Sequence, residues 1–233
     1  MTFEKNLILK FAEWLTPDEL EVAFWAASDD LHENRCWYAT QHANRPAGKL
    51  RDEILPILLF SKFINGQQNG VGNGFRVRCN VSDEKHDGNK EFDAEFRWEN
   101  FQPNLLGDKP SGYLEVTRCT NAVPEEMEHN KLLAEGIIPD SEVRNCYVSD
   151  EYKDLVIAAI NKKVQKKYPK NTTLILSLDD FRENTNAAYW LEQDIEFMKT
   201  SKQIASKKFQ GLFFCGMSAG LVYLNLNTSH RPT

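Results

Sequence analysis

The chain has 233 residues, 41% of them hydrophobic and 27% charged, which excludes a disordered polar chain and fits one large domain, or one domain with a helical extension. A net charge of −6 does not suggest a protein that coats nucleic acid by bulk electrostatics, and it leaves room for a local basic groove. The five cysteines, Cys36, Cys79, Cys119, Cys146 and Cys215, are dispersed and contain no CxxC pair, which argues against a disulfide framework and a structural zinc site. The amphipathic, acid-containing N-terminus is unlike a signal peptide, and no apolar run approaches the roughly 18 residues that span a membrane. The expected setting is cytoplasmic and reducing, without membrane contact.

Residues 2–15 place Phe3, Leu7, Ile8, Phe11 and Leu15 at helical spacing. Thr16-Pro17-Asp18-Glu19 then supplies an N-cap, a proline at the first helical position and acids in the first turn of a second helix. Residues 1–45 therefore read as a helical extension that packs on the main body or meets a protein partner. Trp25, Trp37 and Tyr38 are expected in a core. The main domain is expected over residues 46–233.

The stretch KLRDEILPILLFSKFIN is a strong helix interrupted by Pro56, where a kink or a division is expected. GQQNGVGNGF is a glycine-rich loop; a dinucleotide fingerprint would open a helix, whereas the strand FRVRCNV follows here. Asp87-Gly88 signals a hairpin turn. Two alternating strands come next, FDAEFRW and GYLEVTRC. From Val123-Pro124 a polar helix runs to a C-cap at Gly136. A further helix starts near Ser149-Asp150-Glu151, with Leu155, Ile157, Ala158, Ile160 and Val164 as its apolar stripe. TTLILSLDD is a short buried strand, residues 185–206 a polar helix, and GLFFCGMSAGLVYLNL a terminal hairpin. The expected class is α/β, a mixed sheet flanked by helices.

Gly216-Met217-Ser218-Ala219-Gly220 matches the GxSxG elbow, but a strand follows the turn and no Asp or Glu lies beyond Ser218, so the glycines read as turn residues. His32, His42, His86, His129 and His230 show no metal-ligand spacing.

The carboxylates on the strands remain. Period-2 geometry puts Asp93 and Glu95 on one face and Glu115 and Thr117 on one face of the next strand. Acids gathered on buried strands are costly unless a cation pairs them, so this group reads as a metal site. The bland alternative is a half-exposed sheet whose acids pair with Arg97, Arg118 or nearby lysines. Lys162, Lys163, Lys166, Lys167 and Lys170 cluster late in the helix after these strands, either as a solvated face that complements the helix dipole or as a phosphate-binding edge for DNA or RNA.

The order helix–strand–strand–strand–helix–strand, with Glu53 on the first helix, Asp93 on the second strand and Glu115-Val116-Thr117 on the third, resembles the PD-(D/E)xK restriction-endonuclease-like superfamily over about residues 46–226. The resemblance implies a nuclease that hydrolyses phosphodiester bonds of DNA or RNA with Mg²⁺ or Mn²⁺. It implies Asp93 and Glu115 as metal ligands, the Val116 carbonyl as a third donor, and Glu53 as an auxiliary acid; Glu95, beside Asp93 on the strand, is expected to assist at the metal. Thr117 stands where that family carries lysine, so a cation is expected from a following helix, with Lys131 and Lys163 as candidates. The alternative reading is a nuclease fold without catalysis that binds nucleic acid or a protein partner.

Overall fold

The computed structural model describes residues 9–33, 49–67, 74–80, 92–99, 111–119, 150–178, 192–216 and 221–226. The expected helix between Val123 and Gly136, the Asp87-Gly88 turn, residues 68–73 of the glycine-rich loop, Trp37, Tyr38, Lys131 and Ser218 lie outside these residues.

The first long helix, α1, spans Pro17–Glu33. It starts as expected and adds a reciprocal cap. Glu19 N–H donates to Thr16 Oγ1 at 3.2 Å, and Thr16 N–H donates to Glu19 Oε2 at 2.8 Å. The helix expected over residues 2–15 is corrected within the described part. Only Lys10–Ala12 form a 3-10 turn, after which the backbone extends and Leu15 pairs antiparallel with Val77. Leu15 N–H donates to Val77 O at 2.9 Å, and Val77 N–H donates to Leu15 O at 2.8 Å. Two forces favour extension here: Pro17 disfavours a helical Thr16, and the pairing covers an open strand edge.

Helix α2 opens with a π-helical stretch, Leu50–Ile54, and continues as α-helix over Leu55–Gln67. The widened turn immediately precedes Pro56. It accommodates a ring without an N–H, so the helix neither breaks nor divides.

Among the described residues, six strands form one sheet in sequential order: β1 Phe75–Cys79, β2 Ala94–Trp98, β3 Ser111–Cys119, β4 Thr172–Leu178, β5 Gly211–Gly216 and β6 Leu221–Asn225. β1, β2 and β3 are antiparallel neighbours, β3, β4 and β5 are parallel, and β6 returns antiparallel. Helix α3, Asp150–Val164, lies between β3 and β4 in the chain, and α4, Ile195–Ala205, between β4 and β5. The helix expected from residue 185 is therefore shorter in its described part: Asp194 adopts extended backbone and caps a new start, accepting from Phe197 N–H at 3.0 Å.

Strand alternation sorts the core into two layers. Leu114, Val116, Ile175 and Phe213 pack with α1 and α2, through Leu20, Phe24, Ile54, Ile57 and Phe60. Leu174, Leu176, Leu212 and Phe214 pack on the other face with Val156 and Ile160 of α3 and Phe197 of α4. The molecule is thus an α/β protein with a mixed sheet flanked by helices. Helix α1 shares the core of the sheet, which is the packed alternative for this part of residues 1–45. Trp25 is a correction: it is 55% exposed, because Phe24 and Ala27 form the buried face of α1. In α3, Val156 and Ile160 are the fully buried positions, and Ala158 is exposed. Cys79, Cys119 and Cys215 are buried. Among the described residues no helix is long and apolar enough to cross a membrane.

Candidate functional site

Asp93 stands one residue before β2, where the ladder between β2 and β3 ends at the pair Ala94–Leu114. Its backbone is held from both sides: Asn80 N–H donates to Asp93 O at 2.7 Å, and Asp93 N–H donates to Leu114 O at 2.9 Å. Beyond the last strand pair, Val116 N–H donates to the Asp93 carboxylate at Oδ2, 2.7 Å away. The side chain thus replaces the missing ladder partner and is fixed beside β3.

Glu115 is buried and lies on the face of β3 covered by α3. Lys163, in the last turn of α3, donates its ammonium to Glu115 Oε1 and to the carbonyl of Val116, the latter at 3.2 Å. Tyr168, just past the end of α3, donates its hydroxyl to the same Oε1 at 3.1 Å. Glu53 lies in the opening stretch of α2, with Lys49 at 3.4 Å one turn earlier.

Asp93 links the two glutamates electrostatically. The Glu115 carboxyl is pushed up to about 7, first by burial and then by the Asp93 charge, against the pull of Lys163 and Tyr168. Glu53 is also pushed up to about 7, first by burial and then by Asp93, against Lys49. Burial raises Asp93 itself, opposed by the Val116 N–H and by the charges of Lys163, Lys49 and Lys166. The Cys79 thiol is pushed up to about 12, chiefly by burial and next by Glu53.

The structure therefore brings Glu53, Asp93, Glu115 and Lys163 into one electrostatic group. It does not bring Glu95 to it. Arg78, opposite it in the β1–β2 register, donates to Glu95 Oε2 at 2.7 Å, so Glu95 is one side of an ion pair. Thr117 shares the Glu115 face and is half-buried, while Arg118 reaches Asp52 at 3.5 Å on the α2 side. Lys162, Lys166, Lys167 and Lys170 are all exposed.

Sequence reasoning missed Lys49 and Tyr168. Lys49 was legible, four residues before Glu53 and therefore on the same helix face. Tyr168 carried no such signal, because α3 ends at Val164 and the turn that follows decides where its ring goes.

Among the described residues, no group of three or more His, Cys, Asp or Glu could hold a metal ion. The narrower donor set, Asp93 and Glu115 with the Val116 carbonyl, consists of oxygen atoms only. The Asp93 charge raises the proton affinity of Glu115, a cost that a cation beside them would offset, and Mg²⁺ is commonly held by one or two carboxylates with water completing its shell. In chemistry alone these are hard oxygen donors, of the kind Mg²⁺ or Mn²⁺ takes; the Lys163 ammonium meets Glu115 Oε1 and the Val116 carbonyl in this structure. Comparison of the chain with protein-family models, curated proteins and solved structures returned no match.

Proposed function

We propose that this protein is a Mg²⁺- or Mn²⁺-dependent nuclease with a restriction-endonuclease-like fold, hydrolysing phosphodiester bonds in DNA or RNA. The observation that carries the reading is the position of Lys163. Thr117 occupies the place of the family's lysine, and an ammonium from α3 lies instead beside Glu115 and the Val116 carbonyl.

In this reading Asp93, Glu115 and the Val116 carbonyl would hold the cation. When bound, it lowers the pKa of an attacking water and offsets charge developing at phosphorus. The chain's own residues do the rest. The Val116 N–H fixes the Asp93 carboxylate, and Lys163 supplies the positive charge that Thr117 lacks. Glu53, with its raised proton affinity, takes or holds a proton beside Asp93. The exposed lysines 162, 166 and 167 extend the positive face outward for a phosphate backbone.

A second reading, a nuclease fold that binds nucleic acid or protein without cleavage, draws support from the same charges. Lys49, Lys163 and Lys166 already oppose the negative charge at Asp93 without any metal. A calorimetric titration with Mn²⁺ separates the two readings. The nuclease reading expects saturable binding that Asp93→Asn abolishes. Absence of binding, or identical binding in both proteins, favours the non-catalytic one.

A further inference from the structure

We propose that Tyr168 is a positioning residue, whose hydroxyl, together with Lys163, holds one oxygen of Glu115 so that the other is presented to a divalent cation. The proposal rests on the metal-site reading above. Both donors fall on Oε1: the Lys163 ammonium and, at 3.1 Å, the Tyr168 hydroxyl. On Asp93 the Val116 N–H takes Oδ2 alone. Glu115 Oε2 and Asp93 Oδ1 are the oxygens not engaged by these donors, and they would be the ones left to a cation held by the two acids.

The turn carrying Tyr168 is anchored independently of the site. Tyr168 precedes Pro169, which restricts it to extended backbone. Thr172 Oγ1 donates to Pro169 O at 2.8 Å. Asn171, with φ 69°, turns its carbonyl to accept from Tyr113 N–H at 3.1 Å and from Gln210 Nε2 at 3.0 Å. Gln210 N–H in turn donates to Thr172 O at 2.9 Å. The turn is thereby tied to β3 and to the residue preceding β5. The Tyr168 ring leans on the buried Phe209, centroids 5.2 Å apart. Ring and backbone are set before any ligand arrives, which is what a hydroxyl needs to orient a carboxylate.

The test is Tyr168→Phe, which keeps the ring against Phe209 and removes only the donor. Mn²⁺ is titrated calorimetrically into the full chain, and thermal unfolding without metal is compared with wild type. The expected result is a loss of Mn²⁺ affinity of about 10- to 100-fold with an unchanged unfolding midpoint. In cleavage of labelled DNA and RNA, the apparent KM for Mn²⁺ rises to match, while kcat at saturating Mn²⁺ stays within about twofold. Equal affinity in the two proteins overturns the role of Tyr168 and leaves the metal site standing. A loss that comes with a lowered midpoint and persists at saturating Mn²⁺ makes the hydroxyl structural, and also overturns it. Absence of Mn²⁺ binding by the wild type removes the metal site and this proposal together.

Discussion

Lys163 and Glu115 lie 48 residues apart in the chain and meet where the last turn of α3 covers β3, the ammonium resting on the buried carboxylate and on the adjacent Val116 carbonyl. A buried pair broken on one side leaves an uncompensated charge. Lys163→Met is therefore predicted to destabilise the protein by about 3 kcal/mol near pH 8. Near pH 6 the cost shrinks, because Glu115, pushed up to about 7 even beside Lys163, is already mostly protonated there and loss of the lysine leaves little unpaired charge. Urea unfolding at both pH values checks this; a cost independent of pH contradicts it.

Glu53 sets a second pH signature. Its carboxyl lies at about 7 in the folded protein against an ordinary 4.5. Between those values the folded state keeps a proton that the unfolded chain has released. This contribution to stability is fully present below about 4.5 and is lost as pH rises through about 7. Glu53→Gln, neutral throughout, is predicted to flatten that decline and to be more stable than wild type near pH 8. Parallel stability–pH curves for the two proteins would exclude it.

Gly112 marks the tightest packing near the site. A Cβ there would meet Asn171 O at 2.5 Å and Phe96 Cζ at 2.6 Å. Asn171 cannot yield without disturbing the turn that carries Tyr168. Gly112→Ala is predicted to cost about 1–3 kcal/mol by overpacking. An unchanged unfolding midpoint would show that β3 shifts freely.

Much of this architecture was legible because it follows from local rules. The alternation in AEFRW and GYLEVTRC marks half-buried strands, and Thr16-Pro17 starts a helix. What was not legible depends on register and long-range packing. Glu95 shares sequence parity with Asp93, yet the β1–β2 register sets Arg78 opposite it. Residues 9–15 have helical spacing, but pairing of Leu15 with Val77 overrides it. Trp25 is exposed because α1 buries its neighbouring face, a choice that periodicity alone does not make. Tyr168 reaches Glu115 only through the turn between α3 and β4.

The exposed lysines beyond Lys163 give a prediction that needs no catalysis. Each phosphate contact made by a lysine steepens the fall of nucleic-acid affinity with salt by about one unit on logarithmic axes. Replacing Lys162, Lys166 and Lys167 together by alanine is predicted to weaken binding of a labelled DNA duplex and to reduce that slope by about 2–3. Fluorescence anisotropy over a salt series measures it. An unchanged slope would place nucleic acid elsewhere or nowhere on this protein.

The central claim is that Asp93 and Glu115 support metal-dependent phosphodiester hydrolysis. Its most direct measurement is cleavage of labelled single- and double-stranded DNA and RNA by wild type and Glu115→Ala, with Mg²⁺ or Mn²⁺ and with a chelator. The account predicts cleavage by the wild type that the chelator stops and that falls to background in Glu115→Ala. Equal cleavage by both proteins, or none by the wild type with either metal, would contradict it.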